Sequence, residues 1–515
     1  MQPNMRGIQQ SRDPQGQFLA NLLTNLAVFG SNILIWLWFI PYLIHNLGVA
    51  SYGIIPLASS ITAYLTIATL SLNGAVSRFL TIDLQKNDVL SANRTFNTSL
   101  ICCSGLSIFL LPIVLGFSLV SPHLFNVPKG QETSVQWLFA ATLTSFLIVT
   151  LGSSFAVSTV ARNRLDLRNM VTASSQVLRV AIVVLLFSFT KPRLWHVGVG
   201  LLGAALIEIF GHRILWRRLT PDLRVMVSAF DRSQVSKLFA LGRWMVTDQI
   251  GTLLLLNIDL VLVNRLMGTE TGGFYGSVVI WATTMRLLAA NVSSILLPTA
   301  LAKYAQEDFE NLVRITRQAV KLLGLTLALP IGLLCGLSRP FLLLWLGPKF
   351  QELDWLVLVL VSHLSINLAV FPLFEIEIAF GKLFWPAIVT LAMGIINVLL
   401  AMVFVKWVGW GAIGIAAAGA LAFTMRNTLF TSTYGAFIQK VPWWTFLSNQ
   451  APGFIGAIAV MAVAYTVAQV LIVDSWIMLL ALCAGIALLY ASVVFCAVLS
   501  PQERKFFLGL AARMA

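Results

Sequence analysis

Charge is what this sequence has least of. Of its 515 residues only 10% are Asp, Glu, Lys or Arg. A soluble domain carries about 25%. A chain so poor in charge cannot clothe a water-facing surface, which excludes a soluble enzyme, a nucleic-acid-binding module and a disordered scaffold. Cysteine is scarce as well. Cys102, Cys103, Cys335, Cys483 and Cys496 all lie within apolar stretches, and none has the spacing of a metal site or a disulfide framework. No Walker A pattern, no His-Glu-x-x-His and no Gly-x-Ser-x-Gly occurs, so no built-in ATP engine, no metal and no cofactor are expected. Long polar segments are missing between the apolar ones. That argues against a polymerase or ligase with a catalytic domain outside the membrane, and for a non-enzyme.

What fills the chain is apolar. Hydrophobic residues make up 58% of it and the mean hydropathy is +0.86. A membrane-crossing helix needs about 20 mostly apolar residues. That ruler predicts an all-α integral membrane protein with fourteen spans, near 18–44, 53–77, 99–121, 134–160, 171–190, 194–212, 242–264, 273–298, 319–346, 354–380, 383–405, 409–436, 452–473 and 475–499. Only Lys191, Pro192 and Arg193 divide the fifth from the sixth. The polar segment Met1 to Gln17, followed by an apolar run too long for a cleavable signal, predicts no signal peptide.

The net charge of +14 reads as topogenic loops with contacts to anionic lipid or substrate, and no nucleic-acid partner is expected. With the N-terminus in the cytoplasm, 25 Lys and Arg fall on the cytoplasmic side and 7 outside, leaving Arg179 and Arg286 within spans. The positive-inside rule therefore predicts both termini in the cytoplasm.

Two stretches look alike at an offset of 223 residues: Ile40 to Gly53 (IPYLIHNLGVASYG) and Val261 to Gly276 (VLVNRLMGTETGGFYG). The same offset pairs the loops Leu84 to Asn97 and Glu307 to Val320, with Arg94 on Arg317. Repeats of this kind are common in transporters. The expected organisation is an N-terminal tail (1–17), a six-helix bundle (18–212), a basic linker (213–241), a second six-helix bundle (242–436), a loop (437–451), two extra helices (452–499) and a C-terminal tail (500–515).

Ionisable groups inside a span face a cavity or a partner. Arg286 stands near the middle of its span, on a stripe with Tyr275, Thr283, Ala290 and Ser293. A guanidinium there suits a phosphate, which it meets as a fork, and equally a structural ion pair. Arg179 lies about two and a half turns into span five and Arg426 late in span twelve, both within reach of an interface by snorkelling, and Arg78 closes a stripe of Ser60, Tyr64, Ser71 and Gly74. These four arginines are the candidate diphosphate ligands. Among the acids, Asp248 and Asp259 share a helical face with Thr252, Glu208 lies in span six, and Glu377 shares a face with His363, Asn367 and Phe374 in span ten. Carboxylates beside a low-dielectric cavity can exchange protons near neutral pH, so Asp248, Glu208, Asp259 and Glu377 are candidate ion-coupling sites; for Asp259 and Glu377 the capping or anchoring of span ends is the favoured reading. Asn25 and Asn32 follow Asn21 along one face of span one. They join Tyr64, Thr283, His363 and Asn367 as candidate cavity-lining residues. The small residues from Gly409 to Ala420 read as close packing, and the Asn-x-Ser/Thr matches at Asn93 and Asn97 as chance matches in a cytoplasmic loop.

The opening of the chain, YLIHNLGVASYGIIPLASSITAYLTIATLSLNGAVSRFL, and NIDLVLVNRLMGTETGGFYG (Asn257 to Gly276) resemble the polysaccharide-transport branch of the multidrug/oligosaccharidyl-lipid/polysaccharide exporter superfamily. The resemblance implies a bacterial cytoplasmic (inner) membrane flippase for an undecaprenyl-diphosphate-linked oligosaccharide such as an O-antigen unit. It implies two pseudo-symmetric six-helix bundles in a V around a cationic cavity, two extra helices, alternating access, and H+ or Na+ coupling in some members. Membrane lipids and a polysaccharide polymerase are the further partners it suggests. Two relatives of the superfamily fit less well. A lipid II flippase would carry arginines early in span one, where Asn21 and Asn25 stand, and a drug/cation antiporter would have twelve spans and often an acid in the first.

Overall fold

The computed structural model describes residues 14–86, 88–232, 243–501 and 503–504. No strand occurs among them. Lipid offers the backbone no hydrogen bonds, so an apolar chain must satisfy its own amides, and helices do this within one segment. We number the spanning helices in chain order. In the first half these are α1 (Pro14–Leu47), α2 (Ile54–Gln85), α3 (Val89–Leu124), α4 (Glu132–Ala161), α5 (Leu165–Phe189) and α6 (Leu194–Leu219). The next are α7 (Arg243–Leu256 and Ile258–Met267), α8 (Thr269–Ser294 and Leu296–Ala305), α9 (Phe309–Gly336), α10 (Asp354–Ser362, Leu364–Asn367 and Phe371–Ala379), α11 (Phe384–Lys406) and α12 (Gly411–Thr424). The last pair is α13 (Thr445–Val470) and α14 (Trp476–Val493). Among the described residues, 13 helices are long and apolar enough to cross a membrane, or 14 when α10, bent by 45°, is taken as one broken span.

Several helices run past their apolar stretches. α3 begins at Val89, so Asn93 and Asn97 lie in a helix and not in a loop. Both are buried and bond the backbone that follows α6. Asn93 donates to the Asp222 carbonyl (3.1 Å) and accepts from the Arg224 amide (2.8 Å); Asn97 donates to the Arg224 carbonyl (2.8 Å) and accepts from the Met226 amide (2.7 Å). Part of the expected linker is thus the last two turns of α6 and a strap held on α3. The tails at residues 1–13 and 505–515 and the stretch 233–242 lie outside the described residues.

The chain divides into two compact units. One comprises residues 1–246 and 264–273, the other 247–263 and 274–515. The second unit includes α13 and α14. α13 lies along α9 through small residues: a Cβ on Gly453 would meet the backbone carbonyl carbon of Gly324 at 2.5 Å, and one on Gly332 would meet Val460 at 2.7 Å. Small residues let backbones approach where lipid gives no hydrophobic drive for association.

The repeat is visible in local geometry. Gly48 (φ 80°) and Gly268 (φ 89°) break the chain after α1 and α7 in the left-handed region. Asp88 caps α3 by accepting from the Ser91 amide, and Asp308 caps α9 by accepting from the Asn311 amide. Each cap also donates its own amide five residues back, to Asp83 and Lys303. The Ser91 amide bond holds Asp88 below the usual carboxylate range, and the Lys303 ammonium does so for Asp308. These landmarks are 220 residues apart, so Arg94 corresponds to Arg314 in structure and not to Arg317. Tyr52-Gly53 and Tyr275-Gly276 keep the offset of 223 because the second turn is three residues longer.

In the first unit Gly53 and Gly273 meet. A Cβ on Gly53 would lie 2.5 Å from the Gly273 amide nitrogen, and one on Gly273 would collide with the Val49 carbonyl. Backbone cannot yield as a flexible side chain does. Gly273→Val is expected to destabilise the protein by about 1–3 kcal/mol, read as a lowered unfolding temperature in detergent; an unchanged temperature would contradict this packing.

Candidate functional site

The second unit holds a buried polar network that begins where α7 breaks. The break at Asn257 frees carbonyls, and Asn397 of α11 donates to that of Leu254 (2.9 Å). Asp259 opens the second segment of α7 and is buried. Its Oδ2 accepts from the hydroxyl of Tyr275 (2.9 Å), itself fully buried on α8. On α12, Gly419 leaves room here: a Cβ would stand 3.6 Å from Asp259 Oδ2 and 3.7 Å from Asn397 Oδ1.

Arg286 lies in the field of Asp259 and Tyr275. Its guanidinium carbon is 5.9 Å from the Phe423 ring centroid. Its Nε is buried without a hydrogen-bond partner, and no ion pair within 4.0 Å forms at Arg286 among the described residues. The stripe expected on α8 is divided: Tyr275 and Ser293 are buried, Thr283 and Ala290 exposed, and Arg286 lies between.

The network continues through His363, which meets the Phe423 ring edge-on, and whose Nδ1 is 2.8 Å from Asn367 Nδ2. Asn367 Nδ2 also donates to Thr424 (2.8 Å). α10 is broken just after Asn367, and the freed Asn367 carbonyl accepts from Asn427 (2.9 Å). Asn427 and Arg426 sit in a π-helical stretch, Met425–Thr431, that follows α12. Such bulges often mark functional sites. Arg426 does not snorkel. It is buried, and each of its three nitrogens has a partner within the unit. Nε donates to Thr390 (2.8 Å), Nη1 to Asn427 (3.2 Å) and Nη2 to Asp248 (3.4 Å), while its carbon stands 4.8 Å from the Phe374 ring centroid. Glu377, 3% exposed, lies in the field of Arg426 and Asp248. Asp248 keeps 38% of its side chain exposed. Close approach of α7 and α11 brings Asp248 and Thr390 together, since a Cβ on Gly394 would lie 2.7 Å from the Gly251 carbonyl oxygen. Asp248 and Asp259, expected on one face, are separated by the α7 break and serve different partners.

The first unit has a simpler counterpart. Arg179 is fourteen residues from the start of α5 and ten from its end, so it is mid-helix. Its guanidinium carbon is 6.0 Å from the Phe39 ring centroid, it lies in the field of buried Tyr52, and its Nε is buried without a partner. Glu208 accepts from Ser175 (3.0 Å). Asn25 accepts from Asn169 (2.7 Å), and Asn21 donates to Asn163 and accepts from the Asp166 amide (3.0 Å). These asparagines fasten α1 to the start of α5. Asn32 and Tyr64 are half-buried. The side chain of Arg78 lies outside the described residues. Asn397, Asn427 and Thr390 were missing from the expected site, although Asn397 and Asn427 interrupt apolar runs and could have been flagged on that ground.

A family described as "Polysaccharide biosynthesis protein" matches residues 18–302, more than half of the sequence. The chain belongs to this family. A relative from Bacillus subtilis (strain 168), named "Uncharacterized membrane protein EpsK", is 30% identical over 496 residues, covering 96% of this chain and 97% of its own length. A second, "Probable flippase AglR" from Haloferax volcanii, is 23% identical over 83% of this chain and 84% of its own. Among solved structures, "Lipid II flippase MurJ, inward closed conformation" superposes with a TM-score of 0.61 at 16% identity, covering 92% of this chain and 99% of that one. An inward-facing MATE transporter of the MOP superfamily, the exporter superfamily identified above, gives 0.61 at 14% identity, covering 82% and 96%. The family member described here is thus a multi-pass helical membrane protein with the MOP fold.

Proposed function

We propose that this chain is a flippase that carries a polyprenyl-diphosphate-linked oligosaccharide, the repeat unit of a surface polysaccharide, from the inner to the outer leaflet of a bacterial cytoplasmic membrane by alternating access. One observation carries this reading. Each unit holds an arginine in mid-span, Arg179 or Arg286, against an aromatic ring, with its Nε buried and without a partner. A buried guanidinium with donors unmet is suited to an anion that brings its own oxygens, and a diphosphate does so in the forked geometry guanidinium prefers. The family match supports the glycan. The basic loops favour cytoplasmic termini. Arg426 holds the second unit together and is not a cargo ligand.

The energy comes from an ion gradient. Asp248 is the coupling group we favour, because it is the exposed member of the Asp248–Arg426–Glu377 cluster, whereas Asp259 and Glu377 are buried and Glu208 is held by Ser175. Asp248→Asn is expected to abolish the response of transport to an applied H+ gradient and keep the fold; an unchanged response would move coupling elsewhere, with Na+ the next ion to vary. The reading as a whole is tested by deleting the gene in the producing cell and labelling polyprenyl-diphosphate glycans leaflet-selectively. Complete repeat units should collect on the cytoplasmic leaflet. An intact surface glycan with no accumulation would overturn the proposal.

A further inference from the structure

A second cationic feature lies in the first unit, away from Arg179. The strap held by Asn93 and Asn97 turns back beside the end of α6, and an open pocket of about 610 Å³ lies against the two. Arg213 and Arg217, one turn apart on α6, and Arg224 on the strap line it, together with Leu100, Phe155 and Trp216. Among the described residues none of the three arginines has an ion-pair or hydrogen-bonded side-chain partner, although two acids, Asp222 and Asp231, stand on the same strap. Trp216 is 6% exposed and packed between Phe96 and Phe155 (centroids 5.4 and 5.2 Å), and its indole N–H is buried without a partner.

Three features of this cavity go beyond a solvated basic loop. The wall is fixed, because two buried asparagines make four hydrogen bonds to the strap backbone. Arginines from two segments, Arg213 and Arg217 on α6 and Arg224 on the strap, line one space. The lining also joins those charges to aromatic and aliphatic carbon at the end of a spanning helix, where headgroup and acyl chain meet.

We propose that this cavity binds the phosphate of an anionic phospholipid, with Arg213, Arg217 and Arg224 as its ligands and Leu100 and Phe155 against the glycerol and upper acyl chain. Phosphate matches the guanidinium fork, and a cavity of this size holds a headgroup but not a whole lipid. The site is separate from the cargo arginines, so its occupancy does not depend on what the protein transports.

The test uses the full-length purified protein. Phosphatidylglycerol or phosphatidylcholine is titrated into it in detergent, and retained lipid is counted by native mass spectrometry, with inorganic phosphate as a separate arm. The wild type should retain phosphatidylglycerol in preference to phosphatidylcholine. The pair Arg217→Gln with Arg224→Gln, both exposed side chains, should weaken that preference about tenfold, and Arg217→Lys should weaken it less. Equal retention of the two lipids, or a preference unchanged in the double variant, would overturn the proposal. So would inorganic phosphate that binds as tightly as the lipid, since the site would then be one for free anion. Retained preference in Arg286→Ala is the expected control.

Discussion

Arg286→Ala should abolish glycolipid transport and leave a folded protein. The two halves of that expectation have separate grounds. Asp259 loses the positive charge near it when Arg286 is removed but keeps its bond from Tyr275, and the Nε that disappears had no partner to orphan. The cost to stability is therefore about 1–2 kcal/mol, a small shift in unfolding temperature. The cost to transport is larger. Two charge-assisted hydrogen bonds to a diphosphate are worth about 1.5–3 kcal/mol each, so their loss should slow flipping by about a hundredfold or more. Arg286→Lys restores the charge but not the fork and should recover only part. Full activity in the alanine variant would remove the diphosphate role from this residue.

Arg426→Ala should do the reverse and fail in folding first. Two of its three bonded donors tie the π-helical stretch after α12 to α11 and α7, through Thr390 and Asp248, and the third holds the neighbouring Asn427. Truncation strips a half-buried ion pair of its cation and leaves Glu377, 3% exposed, without the positive charge beside it. Breaking such a pair costs about 3–5 kcal/mol, with the lower end expected because Asp248 is partly wet. The readout is a sharp drop in monodisperse protein on size exclusion and in unfolding temperature. A variant as stable as the wild type but unable to transport would make Arg426 a cargo ligand after all.

The contrast between these arginines shows where the sequence is legible. Long apolar runs report the solvent directly, so the spans were readable, including the Lys191–Arg193 divider between α5 and α6. Helix ends were less so, because helices such as α3 and α6 project beyond the hydrocarbon with polar faces that packing, not hydropathy, supports. Breaks inside spans were not visible. Those at Asn257 and after Asn367 depend on side chains from other helices, Asn397 and Asn427, that accommodate the freed carbonyls. Arg426 looked free to reach an interface because its partner Asp248 is 178 residues away in sequence. Arg286 was legible in position, but its missing Nε partner needed coordinates.

The most direct test is flipping itself. Purified protein is reconstituted into vesicles carrying a fluorescent undecaprenyl-diphosphate oligosaccharide in the inner leaflet, and label reaching the outer leaflet is followed with a membrane-impermeant quencher. Wild-type vesicles should move the label, vesicles with Arg286→Ala should match empty ones, and excess unlabelled glycolipid should compete. Movement equal to that of empty vesicles under every applied H+ or Na+ gradient would contradict the account.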